Sequence, residues 1–183
     1  MLTDTEPQKF RLDLFLQTLM AMVRERTTEG VFNVGRQYFL SRDHVAATMT
    51  WLADQQNQTL ELCQFESRCK TPPDAWSING RSMVKIPYDD DFIGTVAKEQ
   101  SPRVYYGNTF IQPGWAEQEG IRSCMILPME IKSGFMGVFA IFFYPRFETG
   151  FHESLKWLRM LADYLGAALT NARAFESIEQ VRQ

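Results

Sequence analysis

Residues 121–144, IRSCMILPMEIKSGFMGVFAIFFY, contain two apolar runs, Cys124–Met129 and Phe135–Tyr144, separated by Glu130-Ile131-Lys132-Ser133-Gly134. Short runs rich in aromatic and β-branched residues on either side of a glycine-containing turn read as a β-hairpin. Nearly every position in both runs is apolar, a pattern that a strand with one wet face does not tolerate. The hairpin is therefore expected to be buried on both faces and central to its sheet.

The chain before it supplies the flanking elements. Residues 1–8 are polar, and Lys9–Arg26 follows with Leu12, Phe15, Leu16, Leu19, Met22 and Val23 at three- and four-residue steps, the spacing of an amphipathic helix. Thr27–Gly30 breaks or re-caps that helix, and Val31, Val34, Tyr38 and Phe39 suggest a second one ending near Ser41-Arg42-Asp43. Val45–Ala53 alternates as a strand, with Val45, Ala47, Met49, Trp51 and Ala53 on one face and Thr48 and Thr50 on the other. Asp54–Gln58 is a polar turn leading into a second strand, Thr59–Phe65. Residues 66–83, with Pro72, Pro73, Asn79 and Gly80, read as a long loop, a length usually reserved for function or mobility.

Val84–Pro87 suits an edge strand, because proline cannot donate to a central ladder. Asp89, Asp90 and Asp91 precede Phe92, Ile93, Val96 and Ala97, which share one helical face. Acidic residues at that place suit a helix N-terminus, and this is preferred to a metal site. Pro102 ends the helix, Arg103–Tyr106 is a short strand, and 107–120 is irregular, with one helical turn near Trp115–Glu119. After the central hairpin a long helix runs from about His152 to the end. Its stripe Leu158, Leu161, Leu165, Ala168, Ala172 and Phe175 forms a heptad-like seam, widened by Trp157, Met160, Tyr164, Asn171 and Ile178. Its last turns are expected to leave the domain and pair with another helix or join a following one. The layout is an α+β domain: an antiparallel sheet of five to six strands with the N- and C-terminal helices packed on one face and ligand loops on the other.

A net charge of -3 with no Lys/Arg stripe argues against a nucleic-acid surface. The odd count of three cysteines without metal-finger spacing suggests reduced thiols in a cytoplasmic setting. No leader sequence is legible near Met1, and the Phe135–Tyr144 run is about half of the ~20 residues a membrane helix needs, so no membrane contact is expected of this segment. No triad, phosphate loop or paired catalytic carboxylates are legible, and His44 and His152 stand singly at element boundaries.

Four stretches together resemble the GAF domain, a small-molecule-sensing module of signalling proteins. They are Asp91–Ala97 with Ser101–Val104, Gly120–Met129, Gly134–Ile141 and Leu169–Glu176, and the likeness spans roughly Gly30 to Phe175. The resemblance implies a division into 1–29, a polar start and dimer or signalling helix; 30–175, the sensory domain; and 176–183, the start of a helical linker to an output domain. It also implies an effector on the open face of the sheet, under loops 66–87 and 107–120, and a homodimer through the terminal helices. The effector, and any cofactor, is unknown from sequence.

Within that resemblance, Asn108-Thr109-Phe110 lacks the Phe-Asp-Glu continuation of cyclic-nucleotide-binding members. Cys124 lies in an apolar strand far from either histidine, unlike a bilin attachment site. Trp76, Tyr105, Tyr106, Asn108, Phe110, Trp115 and Cys124 are the candidate ligand-binding residues, aromatic walls with a few polar atoms. For Trp115 the alternative of pinning its loop to the sheet weighs equally; for the other aromatics that role is preferred. No catalytic residue is expected. The alternatives are a ligand-free dimerisation module, and a GAF-type free methionine sulfoxide reductase using Cys63, Cys69 and Cys124.

Overall fold

The computed structural model describes residues 12–68, 77–78, 81–82, 85–89, 91–106, 109, 114–145 and 151–182. In chain order the elements are α1 (Leu12–Arg24), α2 (Thr28–Leu40), β1 (Val45–Asp54), β2 (Thr59–Ser67), β3 (Ser77–Ile78), β4 (Arg81–Ser82) and β5 (Lys85–Pro87). After these come α3 (Asp91–Glu99), β6 (Arg103–Tyr106), α4 (Gly114–Gln118), β7 (Ser123–Ile131), β8 (Gly134–Phe143) and α5 (Phe151–Arg182). One antiparallel six-stranded sheet has the order β5-β2-β1-β8-β7-β6, while β3 and β4 form a separate two-stranded ladder. That ladder lies inside the segment expected to be a plain loop. Lys9–Arg11 of the expected first helix, Val84 and the 107–108 and 110–113 segments fall outside the described residues.

The central hairpin is β7–β8, and it is buried on both faces because its side chains alternate between two cores. Met125, Leu127, Met129, Phe139, Ile141 and Phe143 meet the helices α1, α2 and α5. Cys124, Ile126, Phe135, Val138, Ala140 and Phe142 face the opposite core, with Ile93, Val96 and Ala97 of α3 and Ala116 of α4. Fully burying each large side chain contributes about 1.5–3 kcal/mol, so this hairpin carries much of the folding free energy. Three irregularities set which residues face which side, and the one at Thr50/Trp51 puts both Leu62 and Phe65 of β2 on the α3 side. The shift at Met129/Glu130 sends Phe135 to the α3 side and Met136 to the helical side. The shift between Val45 and Ala47 corrects the expected alternation of β1: Ala47, Met49, Trp51 and Ala53 face α3, but Val45 faces the helices. An extra residue in one strand reverses the pleat beyond it.

Local chemistry fixes the element ends. Thr27 Oγ1 accepts from Gly30 N at 3.0 Å and caps α2. Arg68 donates to the carbonyls of Val45, Arg42 and Leu40, tying the end of β2 to the α2–β1 corner and satisfying a helix C-terminal carbonyl. Gly137 lets β8 approach β1, since a Cβ there would collide with Trp51 O. Along α5 the stripe Leu158, Leu161, Leu165, Ala168 and Ala172 is buried, whereas Phe175 at its end is 45% exposed. The parallel stripe of Met160, Tyr164, Asn171 and Ile178 is exposed, so the heptad-like seam packs within the domain as far as Ala172. Among the described residues no helix is long and apolar enough to cross a membrane.

Two measurements follow from these contacts. Gly137→Ala forces the β1–β8 backbones apart and is expected to lower unfolding free energy by about 2–4 kcal/mol in urea titration; a loss under ~1 kcal/mol contradicts the close approach. His44 is held below its ordinary pKa by burial first and by Arg42 second. Its folded form binds a proton less readily than the unfolded chain, so this contribution is intact above the unfolded value of about 6.5 and is lost as pH falls below it. His44→Gln should flatten that acid-side loss in thermal unfolding at pH 5–7; an unchanged slope assigns it to other groups.

Candidate functional site

The face of the sheet turned away from α1, α2 and α5 is roofed by α3 and α4. Gly94 allows α3 to sit against the β5 exit, since a Cβ there would collide with Pro87 O. Asp91 opens α3, in keeping with an acidic helix start; Asp90 lies outside the described residues. Among the described residues no group of three His, Cys, Asp or Glu side chains is placed to hold a metal ion.

Beneath this roof the core is apolar, with two exceptions. Trp51, 2% exposed, points into it from β1, and among the described residues its Nε1–H has no acceptor. Tyr88 packs its ring edge-on against Phe135 at 5.9 Å, and its hydroxyl is buried with no hydrogen-bond partner among the described residues. Burial raises the Tyr88 pKa, with the charge of Asp54 adding to it, so the hydroxyl keeps its proton and stays a donor as well as an acceptor. An unsatisfied buried polar group costs about 1–3 kcal/mol, which makes two on one face chemically informative.

Tyr88 also lines a cleft of about 410 Å³ between the β1–β2 turn, Pro87–Asp89 and the last turn of α3. Its rim carries Asn57, Gln58, Asp89, Lys98 and Gln100. Gln58 and Gln100 are the two described non-glycine residues with positive φ, at 51° and 49°. Asn57 is already engaged by Asp54, donating from its backbone N at 3.1 Å and from Nδ2 at 2.7 Å. A volume of this size suits a small molecule, and the rim offers amides and both signs of charge.

The candidate residues named from sequence separate. Tyr105 is half-buried on the α3 side, edge-on to Phe92 at 6.0 Å, which in turn meets Phe142 at 6.5 Å. Cys124, opposite Tyr105 in the β6–β7 ladder, is buried in the same core. Tyr106, one residue on, is 55% exposed and does not join that core. Trp115 lies on α4, but its side chain is outside the described residues, as are Trp76, Asn108 and Phe110. Trp51 and Tyr88 were not singled out by the sequence. A tryptophan on the inward face of a strand was legible, but its missing acceptor depends on every neighbour at once.

The thiols are poorly arranged for redox chemistry. Cys63 is partly exposed, yet its Sγ donates to Thr50 O at 3.1 Å, and desolvation pushes it up to about 12 despite the nearby charge of Arg173. A thiol at that value is almost wholly protonated at neutral pH and a weak nucleophile. Cys124 belongs to the α3-side core, whereas Cys63 feels Arg173 of α5 on the helical side. Cys69 is outside the described residues.

No protein-family model matches the chain, and no curated protein does. Solved structures do. The GAF domain of an Acinetobacter phosphoenolpyruvate-protein phosphotransferase superposes with a TM-score of 0.69 at 13% identity, covering 93% of this chain and 99% of that one. The fold is that of a GAF domain. The free methionine-R-sulfoxide reductase of Neisseria meningitidis, solved with its substrate, gives 0.64 at 15% identity, covering 95% and 96%. The corresponding Staphylococcus aureus enzyme, also with substrate, gives 0.64 at 17%, covering 91% and 99%. One GAF scaffold thus serves both a domain of a phosphotransferase and stand-alone reductases, and the side chains must decide between such roles.

The Cys63 thiol is expected to react slowly with Ellman's reagent in the folded chain at pH 8 and faster on denaturation, because desolvation keeps it protonated. Labelling of Cys63 within minutes under native conditions contradicts that protonation.

Proposed function

We propose that this chain is a non-catalytic sensory GAF domain that holds a small effector on the α3 side of its sheet and passes the signal through its terminal helices in a homodimer. The observation that carries the reading is the buried Trp51 Nε1–H, which has no acceptor among the described residues, on an otherwise apolar face. The hydroxyl of Tyr88, a residue that lines the 410 Å³ cleft, is a second buried polar group with no partner among the described residues. Their chemistry favours a molecule with an apolar body and at least one acceptor oxygen or nitrogen. Of the residues named from sequence, Tyr105 and Cys124 fit this face as wall residues.

Output is supported by connectivity. Strand β7 presents Cys124 and Ile126 to the effector side and Met125, Leu127 and Met129 to the helical side, where α5 packs against it. Farther along, Glu176 Oε1 accepts from Thr28 N at 2.8 Å and from Thr28 Oγ1 at 3.1 Å, pinning the exit of α5 to the start of α2. The Arg26 guanidinium sits 5.5 Å from the Phe175 ring centroid beside it. An effector that binds one arrangement of 107–120 more tightly than another shifts the population, and β7 carries that shift to α5. The partition into 1–29, 30–175 and 176–183 belongs to this reading, as does a cytoplasmic setting, which the odd count of three cysteines supports.

The reductase alternative is weakened by the Cys63 thiol at about 12 and by the placement of Cys124 in the other core. Native mass spectrometry of the purified chain, followed by denaturation of the same sample, tests the proposal together with Trp51→Phe. The expected result is a small species retained natively and released on denaturation, held about tenfold more weakly by the variant, as for one lost hydrogen bond. A clean chain that Trp51→Phe leaves equally or more stable contradicts it and favours the ligand-free dimerisation module.

A further inference from the structure

The cleft between the β1–β2 turn, Pro87–Asp89 and the last turn of α3 has walls that the fold holds in place. Thr59 pairs with Pro87 in the β2–β5 ladder, and Gln58 O accepts from Tyr88 N at 3.0 Å. Gly94 lets α3 approach Pro87 and Tyr88 closely, and Gln100 N donates to Val96 O at 2.8 Å where that helix ends. A cavity of about 410 Å³ is at the small end of the roughly 300–1,000 Å³ that ligand pockets occupy, so its occupant is a small molecule.

Two features of the rim bear on what that molecule is. Lys98 of α3 and Asp89 of the turn before it line the same cleft, yet neither side chain makes an ion pair or hydrogen bond among the described residues. Elsewhere on the surface Lys85 pairs with Glu61 at 3.6 Å, and Arg103 pairs with Glu99. The cleft thus presents a cation and an anion that do not neutralise each other. Gln58 and Gln100 are the second feature. Both line the cleft, and both hold the positive φ that a glycine adopts at least cost, as Gly120 and Gly134 do elsewhere. Glycine at either position would ease the backbone but remove a side-chain amide from the rim. Neither amide has a hydrogen-bond partner among the described residues.

We infer that this cleft binds a free α-amino acid, with Lys98 receiving its carboxylate, Asp89 its ammonium, and the amides of Gln58 and Gln100 its remaining polar atoms. A molecule carrying both charges gains a charge-assisted hydrogen bond at each end. A purely anionic or purely cationic one meets a like charge on one wall and is disfavoured. Pro87, Tyr88 and Ala97 offer apolar surface to its carbon atoms. The site goes beyond the effector proposed for the Trp51 face, because Trp51 lies in the α3-side core and does not line this cleft.

Saturation-transfer NMR and thermal unfolding of the full chain, with each proteinogenic L-amino acid in turn at millimolar concentration, test this. The expected result is that at least one of them binds, and that Lys98→Met and Asp89→Asn each weaken it about tenfold, as for one charged hydrogen bond. The N-acetyl and carboxamide forms of the same amino acid, which lack one charge each, should lose a similar factor. Lys132→Met, an equally exposed lysine on the β7–β8 turn, should leave binding unchanged. No binding by any amino acid overturns the inference, as does binding that survives Lys98→Met and Asp89→Asn or that falls as much with Lys132→Met. Equal binding of the N-acetyl form overturns it too. Each of these failures leaves the effector reading standing, since that reading is tested by a natively retained species and Trp51→Phe.

Discussion

The β7–β8 hairpin cannot have a wet face, and the rest of the structure answers that constraint. Its alternating side chains need apolar cover on both sides, which α1, α2 and α5 supply on one and α3 and α4 on the other. Strand β1 joins β8, and β6 joins β7, so every other strand of the main sheet reaches the hairpin directly or through one or two neighbours. Burial of this kind is non-directional, and the ladder hydrogen bonds turn it into a unique arrangement. The register shifts at Val45/Ala47, Thr50/Trp51 and Met129/Glu130 then decide which residues face the helices and which face the roof.

Much of this was legible because period two and period 3.6 are strong signals in long segments. The hairpin, β1, β2, the acidic start of α3 and the extent of α5 follow from the residues themselves. What was not legible has a common cause. A bulge leaves no mark on the alternation before it, so Val45 was assigned to the wrong face. On α5 both apolar stripes step by three and four, and nothing in the sequence distinguishes the one that meets a sheet from the one left outside. The site was harder still. The pleat that separates Tyr105 from Tyr106 was available in principle, but the unpartnered indole of Trp51 is a property of its whole surroundings.

The two-core design also bears on how one fold serves different roles. A sheet whose middle strand touches both cores couples whatever occupies one face to whatever packs on the other, with no need for a separate relay. In this chain the helical side ends in a part-buried hydrogen bond between Glu176 and the first turn of α2, beyond which α5 has only exposed surface. The α3 side ends in buried polar atoms and a cleft. Reductase structures share the architecture, and in this chain the Cys63 thiol is held protonated by desolvation, outside the core that contains Cys124.

Native-state hydrogen exchange on the intact chain tests the central dependence most directly. If the doubly covered hairpin holds the structure together, amides of β1, β7 and β8 exchange only through global unfolding, while those of α3, β6 and the end of α5 open at lower free energy. Equal protection of α3 and the hairpin, or a hairpin that opens before its covers, contradicts the account.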